Sequence, residues 1–261
     1  MLPPFMVEKR EKVNKPDDER YNRQNLIIGS DGQELLRQSR ILVAGVGGLG
    51  NVLAAYLVAA GFGYLRLVDY DRIEISNLNR QVVFQEIDVG REKTTVAKER
   101  LSLLNSGIRI EGINRTITDE TVDELVQGID LIVDALDNFS ARFILNRASF
   151  THRIPFIHGA VRGFLGQATT FIPDRTACLQ CLFAKSPPPE KFSILGGTCG
   201  VIASVQATEA IKVITGKGDL LADRLFFWDG LNGEATTIIM KRNPNCEVCG
   251  EHGLAQGKDL R

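Results

Sequence analysis

The sequence predicts an α/β fold, a mostly parallel sheet flanked by helices. Three observations predict it. Short apolar runs alternate with helix-length segments, beginning Ile41–Ala44, Asn51–Ala60 and Leu65–Val68, the order of strand–helix–strand units in a parallel sheet. Gly45-Val-Gly-Gly-Leu-Gly50 joins the first strand to the first of these helices. Polar, acid-rich loops follow the strands at 69–81 and 134–138, where the carboxyl edge of such a sheet binds ligands. The composition, 44% hydrophobic and 24% charged, suits a packed core with a solvated surface. A net charge of −1 supplies no global basic field, which weighs against non-specific nucleic-acid binding.

The chain opens with MLPPFMVEKREKVNKPDDER, dense in charge and without an apolar stretch of signal-peptide type. Residues 1–18 are expected to be a flexible extension. Asp17–Arg40 reads as two helices around a turn at Gly29–Gly32. Ile41–Leu65 carries no charge, yet its six glycines favour a buried α/β core over a membrane span. Within it, Gly45, Gly47 and Gly50 form G-x-G-x-x-G with Gly48 as an extra glycine, and Asp69 follows at the end of the second strand. Glycines there admit a phosphate close to the backbone, the helix amino terminus supplies N–H groups, and the acid accepts from ribose hydroxyls. The alternative is a tight packing turn with no ligand.

The loop Asp69–Gln81 gathers Asp69, Asp71, Asn77, Arg80 and Gln81. Gly90–Asn105 reads as an amphipathic helix with Ala97, Leu101 and Leu104 on its buried stripe. Lys93 falls on that stripe one turn earlier, aimed either into a cleft or along the surface to solvent. Arg109–Asn114 is a strand, Thr118 opens a helix ended by Gly128, and Asp130–Asn138 is another apolar strand. Asp134, Asp137 and Asn138 at its end suit a hydrated Mg²⁺ beside phosphates, or cap the helix Phe139–Phe150. Pro155–Val161 is a further strand, and Gln167–Ile172 returns antiparallel. Ser186–Gly197 is too rich in proline and glycine for a regular element, so a long loop is expected. Val201–Ile214 is a helix, and Leu225–Trp228 and Ala235–Met240 form a hairpin.

Four of the five cysteines form two C-x-x-C pairs, Cys178/Cys181 and Cys246/Cys249, 64 residues apart. Without a signal peptide such pairs favour a metal over disulfides. Each turn delivers two thiolates, and a closed Cys₄ set is a structural Zn²⁺ site. It would staple an antiparallel carboxyl-terminal extension onto the sheet as a zinc knot. Replacement of one ligand by His252 is not favoured.

Several further segments occur in a fixed order: Arg20-Tyr-Asn-Arg-Gln24, Asp69-Tyr-Asp71, Ser76-Asn-Leu-Asn-Arg-Gln81, Val89-Gly-Arg-Glu-Lys93, Asp134-Ala-Leu-Asp-Asn138 and Asn243-Pro-Asn-Cys246. With the glycine turn and the cysteine pairs, they make residues 19–250 resemble the ThiF/MoeB/HesA adenylyltransferases, relatives of the ubiquitin-activating enzymes. The resemblance implies one Rossmann-like domain over 19–250. Residues 41–170 would be its nucleotide-binding core, 171–250 a zinc-stapled carrier-binding part and 251–261 a flexible tail. It implies ATP-dependent adenylation of the carboxyl-terminal glycine of a small ubiquitin-like sulfur-carrier protein ending in Gly-Gly.

The glycine turn would cradle ATP, with Asp69 on the ribose and Asp71 and Gln81 beside it. Asn77, Arg80 and Lys93 would contact the triphosphate, and Asp137 would hold Mg²⁺. Arg23 would reach the phosphates from the partner subunit of a homodimer. A sulfurtransferase or cysteine desulfurase is an implied further partner, and the cytoplasm the implied location. No general-base histidine is required, so His152 and His158 read as structural. The crossover loop Ser186–Gly197 lacks the cysteine that many relatives carry there. Cys199 lies nearer the helix, where relatives have an apolar residue, and reads as a small buried hydrophobe. Three alternatives are weaker: an adenylating enzyme for a small molecule or modified tRNA, such as the threonylcarbamoyladenosine dehydratases; an NAD-dependent dehydrogenase; and a non-catalytic scaffold.

Overall fold

The computed structural model describes residues 19–183, 193–251 and 253–254. The expected extension at 1–18, most of the Ser186–Gly197 loop, His252 and the tail from 255 lie outside the described residues.

Eight strands form one sheet in the order β3-β2-β1-β4-β5-β6-β7-β8. They are β1 (Arg40–Ala44), β2 (Tyr64–Val68), β3 (Arg109–Ile113), β4 (Leu131–Asp134), β5 (Phe156–Arg162), β6 (Leu165–Phe171), β7 (Arg224–Asp229) and β8 (Glu234–Ile239). The first five are parallel, while β6, β7 and β8 are antiparallel. This is the expected sheet with its antiparallel extension. The order reverses direction between β1 and β4, so a crevice opens between their carboxyl ends.

The helices are α1 (Asn22–Gln38), α2 (Gly48–Ala60), α3 (Lys93–Leu104), α4 (Val122–Val126), α5 (Phe139–His152), α6 (Leu179–Leu182) and α7 (Gly196–Thr215). One apolar core packs α1, α2, α3 and α7 against one face of the sheet through residues such as Leu36, Leu53, Leu57, Val96 and Ala203. The other packs α4, α5 and the cysteine-bearing segments against the opposite face through Leu125, Phe150, Phe156, Phe171 and Val248. Burial on both faces explains why the central strands are apolar throughout rather than alternating.

Several boundaries differ from expectation. The helix expected to open at Thr118 is α4 and starts at Val122, because 118–121 form a turn in which the Thr118 N–H donates to the Thr121 hydroxyl, and α3 starts at Lys93 rather than Gly90. The turn at Gly29 does not separate two helices fully; it kinks α1, with Gly29 at φ 76°. The helix α2 starts inside the glycine motif, three residues earlier than its apolar run suggests, because its amino-terminal glycines make backbone contacts that exclude side chains. A Cβ on Gly50 would stand 1.9 Å from the Gly45 carbonyl oxygen. The helix α7 also starts early, at Gly196, drawing Gly196 and Gly197 out of the expected loop. Leu104, expected on the buried stripe of α3, is exposed, and Val96 is buried in its place. Among the described residues no helix is long and apolar enough to cross a membrane.

Candidate functional site

The glycine turn leaves β1 at the crevice and runs directly into α2. Gly47 is the N-cap, and no side chain caps the helix. The first-turn N–H groups therefore remain open to an anion, and no acidic residue stands in that turn to oppose one. Behind the turn lies Arg80. A Cβ on Gly48 would meet the Arg80 stem at 3.2 Å and the Cys199 sulfur at 3.0 Å. Arg80 Nη1 donates to the Ser76 carbonyl and to Asn79 Oδ1, each at 2.9 Å, while its buried Nε has no partner. A buried guanidinium donor left unsatisfied beside an uncapped helix terminus fits a phosphate.

Asp69 ends β2. Its Oδ2 accepts the Val46 N–H at 2.7 Å and its Oδ1 the Asp71 N–H at 2.8 Å, so the acid ties its own loop to the glycine turn. Burial pushes the Asp69 carboxyl above its ordinary 3.8, with the Lys93 charge opposing. Lys93 opens α3 and is buried. It does not run out to solvent: its Nζ is 2.7 Å from Asp71 Oδ2. Asn77 is buried, and its Oδ1 accepts the Glu74 N–H at 3.1 Å, leaving Nδ2 for a ligand. Gln81 is buried, with its amide nitrogen beside Gly47.

Across the crevice, the three polar residues after β4 divide their roles. Asp134 is fully buried and engaged by His158 and Arg142 at 2.7 and 3.2 Å. Burial alone would raise its carboxyl, but Arg142 and His158 overcome that and hold it below the ordinary range. Asn138 caps α5, accepting the Ala141 N–H at 2.9 Å. Neither is placed for the expected hydrated cation. Asp137 alone is exposed, and its charge is felt, with those of Asp69 and Asp71, at the Tyr70 hydroxyl.

Arg23 is exposed on α1, away from this cluster. Its neighbour Gln24 donates to the Ala60 carbonyl at 2.8 Å, at the carboxyl end of α2. The glycine turn is at the other end of that helix, roughly 20 Å away at 1.5 Å rise per residue. His152 is paired with Asp123 on the surface. Cys199 is fully buried, and burial pushes its thiol up to about 11 against the Arg80 charge.

The four paired cysteines converge, all sulfurs lying within 4.8 Å of one another. Cys178–Cys246 and Cys181–Cys249 sulfurs are 3.6 and 3.4 Å apart. A tetrahedral Zn²⁺ with 2.3 Å bonds would hold sulfurs roughly 3.8 Å apart, a spacing close to these two distances and inside the 4.8 Å bound on the set. The Asn243 N–H approaches Cys181 Sγ at 3.4 Å, as a donor to a metal-bound thiolate does.

A family profile matches residues 21–248, almost the whole described chain. The chain belongs to the ThiF family. It is 39% identical to the SAMP-activating enzyme E1 of Haloferax volcanii over 250 residues, covering 93% of this chain and 92% of that protein. It is 38% identical to the sulfur carrier protein adenylyltransferase of Thermus thermophilus, covering 91% of this chain and 92% of that one. Among solved structures, Escherichia coli MccB with ATP superposes with a TM-score of 0.81 at 28% identity, covering 90% of this chain and 75% of MccB.

Within this ThiF domain the structure brings together the glycine turn, Asp69, Asp71, Asn77, Arg80, Lys93 and, on the facing strand end, Asp137. Sequence reasoning missed Arg142 and Gln206, which buttress the turn after β4. The available signal for Arg142 was its place one turn into the helix that directly follows the acid-rich segment after β4, since a buried guanidinium requires an acid partner.

Proposed function

We propose that this chain adenylates the carboxyl-terminal glycine of a small ubiquitin-like sulfur-carrier protein, consuming ATP and releasing pyrophosphate. The observation that carries the reading is the pairing of an uncapped α2 terminus and unsatisfied Arg80 Nε with an exposed Asp137 across one crevice. The names of the Haloferax and Thermus relatives supply the substrate class.

The chemistry needs placement and charge neutralisation rather than a protein nucleophile. A carrier carboxylate oxygen attacks the α-phosphorus, and the bond to the bridging oxygen breaks. Pyrophosphate leaves with the electron pair. The α2 N–H groups, Arg80, Lys93 and the Asn77 amide bind phosphate oxygens, and Asp69 accepts from the ribose. Lys93 exchanges Asp71 for phosphate as ATP enters. Asp137 would hold Mg²⁺, which neutralises phosphate charge when bound. Arg23, remote from its own crevice, would serve the crevice of a second copy in a homodimer. The four cysteines would hold a structural Zn²⁺. A sulfurtransferase or cysteine desulfurase would then supply sulfur to the adenylate, in the cytoplasm.

Pyrophosphate exchange into ATP tests this. Exchange is expected only with a carrier ending in Gly-Gly and is lost in Asp137→Ala. Tight ATP binding with no exchange for any carrier would overturn the carrier reading.

A further inference from the structure

His158, Arg142 and Gln206 are buried and take no part in the chemistry above. They meet on one short segment, Asp134-Ala-Leu136, which delivers Asp137. His158 Nδ1, on β5, lies 2.7 Å from Asp134 Oδ2. The other carboxylate oxygen, Oδ1, accepts the Leu136 N–H at 3.0 Å. Arg142, on α5, donates Nη2 to the Leu136 carbonyl and to the Gly159 carbonyl, the latter at 3.1 Å. Gln206, on α7, donates to the Asp134 carbonyl at 2.8 Å. The carbonyls at both ends of this segment, and the Leu136 N–H, are thus held by side chains. Asp137, the next residue, is exposed and has no hydrogen bond or ion pair of its own among the described residues.

The His158 ring has one arrangement that satisfies its neighbours. Nδ1 carries the proton and donates to Asp134. Nε2, 3.2 Å from Gln167 Nε2, accepts from that amide. Burial and the Arg142 charge favour this neutral ring, with Asp134 opposing. Arg142 Nε is within ion-pair distance of the same oxygen of Asp134 but is not aligned as a hydrogen bond. His158 is therefore the side-chain donor that fixes the carboxylate's rotation. Without it the carboxylate is free to turn toward Arg142 and release the Leu136 N–H.

We propose that His158 is a positioning residue for Asp137: by clamping Asp134 it sets the turn that presents the Asp137 carboxylate to the metal–nucleotide. The inference rests on the reading of Asp137 as the magnesium ligand. A residue that only filled space would affect folding and leave cation affinity alone.

Two near-isosteric substitutions separate these roles. His158→Asn keeps an N–H donor at the Nδ1 position. His158→Gln moves it to the Nε2 position, beyond reach of Asp134. Mn²⁺ is the probe, titrated into the full-length protein with a non-hydrolysable ATP analogue and followed by electron paramagnetic resonance, with thermal melts on the same samples. His158→Gln is expected to bind Mn²⁺ about tenfold more weakly and His158→Asn within about twofold of the parent, the scale of an outer-shell loss. Gln206→Met, from a different element, is expected to weaken Mn²⁺ as well, so the test does not depend on one variant folding. Parent-like affinity in both His158→Gln and Gln206→Met, or equal weakening in both His158 variants, would overturn the inference alone. A parent protein that binds the nucleotide analogue but no Mn²⁺ would overturn the magnesium role of Asp137 and the inference with it.

Discussion

At the scale of single residues, environment separates groups that look alike in sequence. Asp69, Asp134 and Asp137 all close apolar strands or follow them. Asp134 is consumed by the interior, Asp137 stands in the crevice, and Asp69 lies between these extremes. Burial raises Asp69 above 3.8, so it takes up a proton at a higher pH than an exposed aspartate. The folded state therefore favours protonated Asp69. Its contribution to folding is fullest at low pH and fades as pH rises through the raised value, so acid loss of nucleotide binding at this group is not unfolding. ATP affinity is expected to fall as pH drops through the raised Asp69 value. Asp69→Asn should bind roughly tenfold more weakly, the scale of one charge-assisted hydrogen bond, and should lose this acid limb. Isothermal titration across pH checks both. Cys199 poses a different question. A fully buried thiol pushed up to about 11 is a poor nucleophile at neutral pH. Cys199→Ala is expected to retain carrier-dependent exchange and carrier adenylate formation within about threefold, the tolerance of a small packing change; loss of an acyl or sulfur adduct in that variant would count against this.

At the scale of elements, helix ends do most of the positioning. The glycine turn leaves α2 uncapped, whereas α5 is capped by Asn138. Asn138→Ala is expected to destabilise the protein by about 1 kcal/mol, the usual N-cap loss, measured by denaturant unfolding. Because Asn138 follows Asp137 directly, the same change should weaken Mn²⁺ binding; a stability loss with unaltered binding would separate the cap from the turn. Legibility in the sequence was uneven at this scale. The glycine turn and the β2 acid were readable because their spacing along the chain is their geometry. The start of α7 at Gly196 was not, because that turn is held by contacts from elsewhere. Thr198 donates to the Gly163 carbonyl at 2.9 Å, and Gly196 packs against Asn79 and Arg80.

At the scale of the whole molecule, one chain places its own Arg23 near the far end of α2 from the glycine turn. If Arg23 serves a second copy, two inactive variants complement each other. Mixing Arg23→Ala with Lys93→Ala under exchange of subunits should restore about a quarter of parent activity, since half of random dimers are mixed and each then holds one intact site. No recovery on mixing would remove Arg23 from the shared site. By itself the sequence determined the α/β class, the glycine turn, the two cysteine pairs that converge and the family, because each is written in local spacing or in motifs of fixed order. The family resemblance had already pointed to Asp137, but only the tertiary structure showed that Asp134 is buried and engaged while Asp137 is exposed, that Lys93 turns inward to Asp71, and that His158 clamps Asp134. Those outcomes depend on burial and on partners distant in sequence: Asp134 and His158 are 24 residues apart and Gln206 is 72 from Asp134. Strand order brings such groups together, and no local pattern records it.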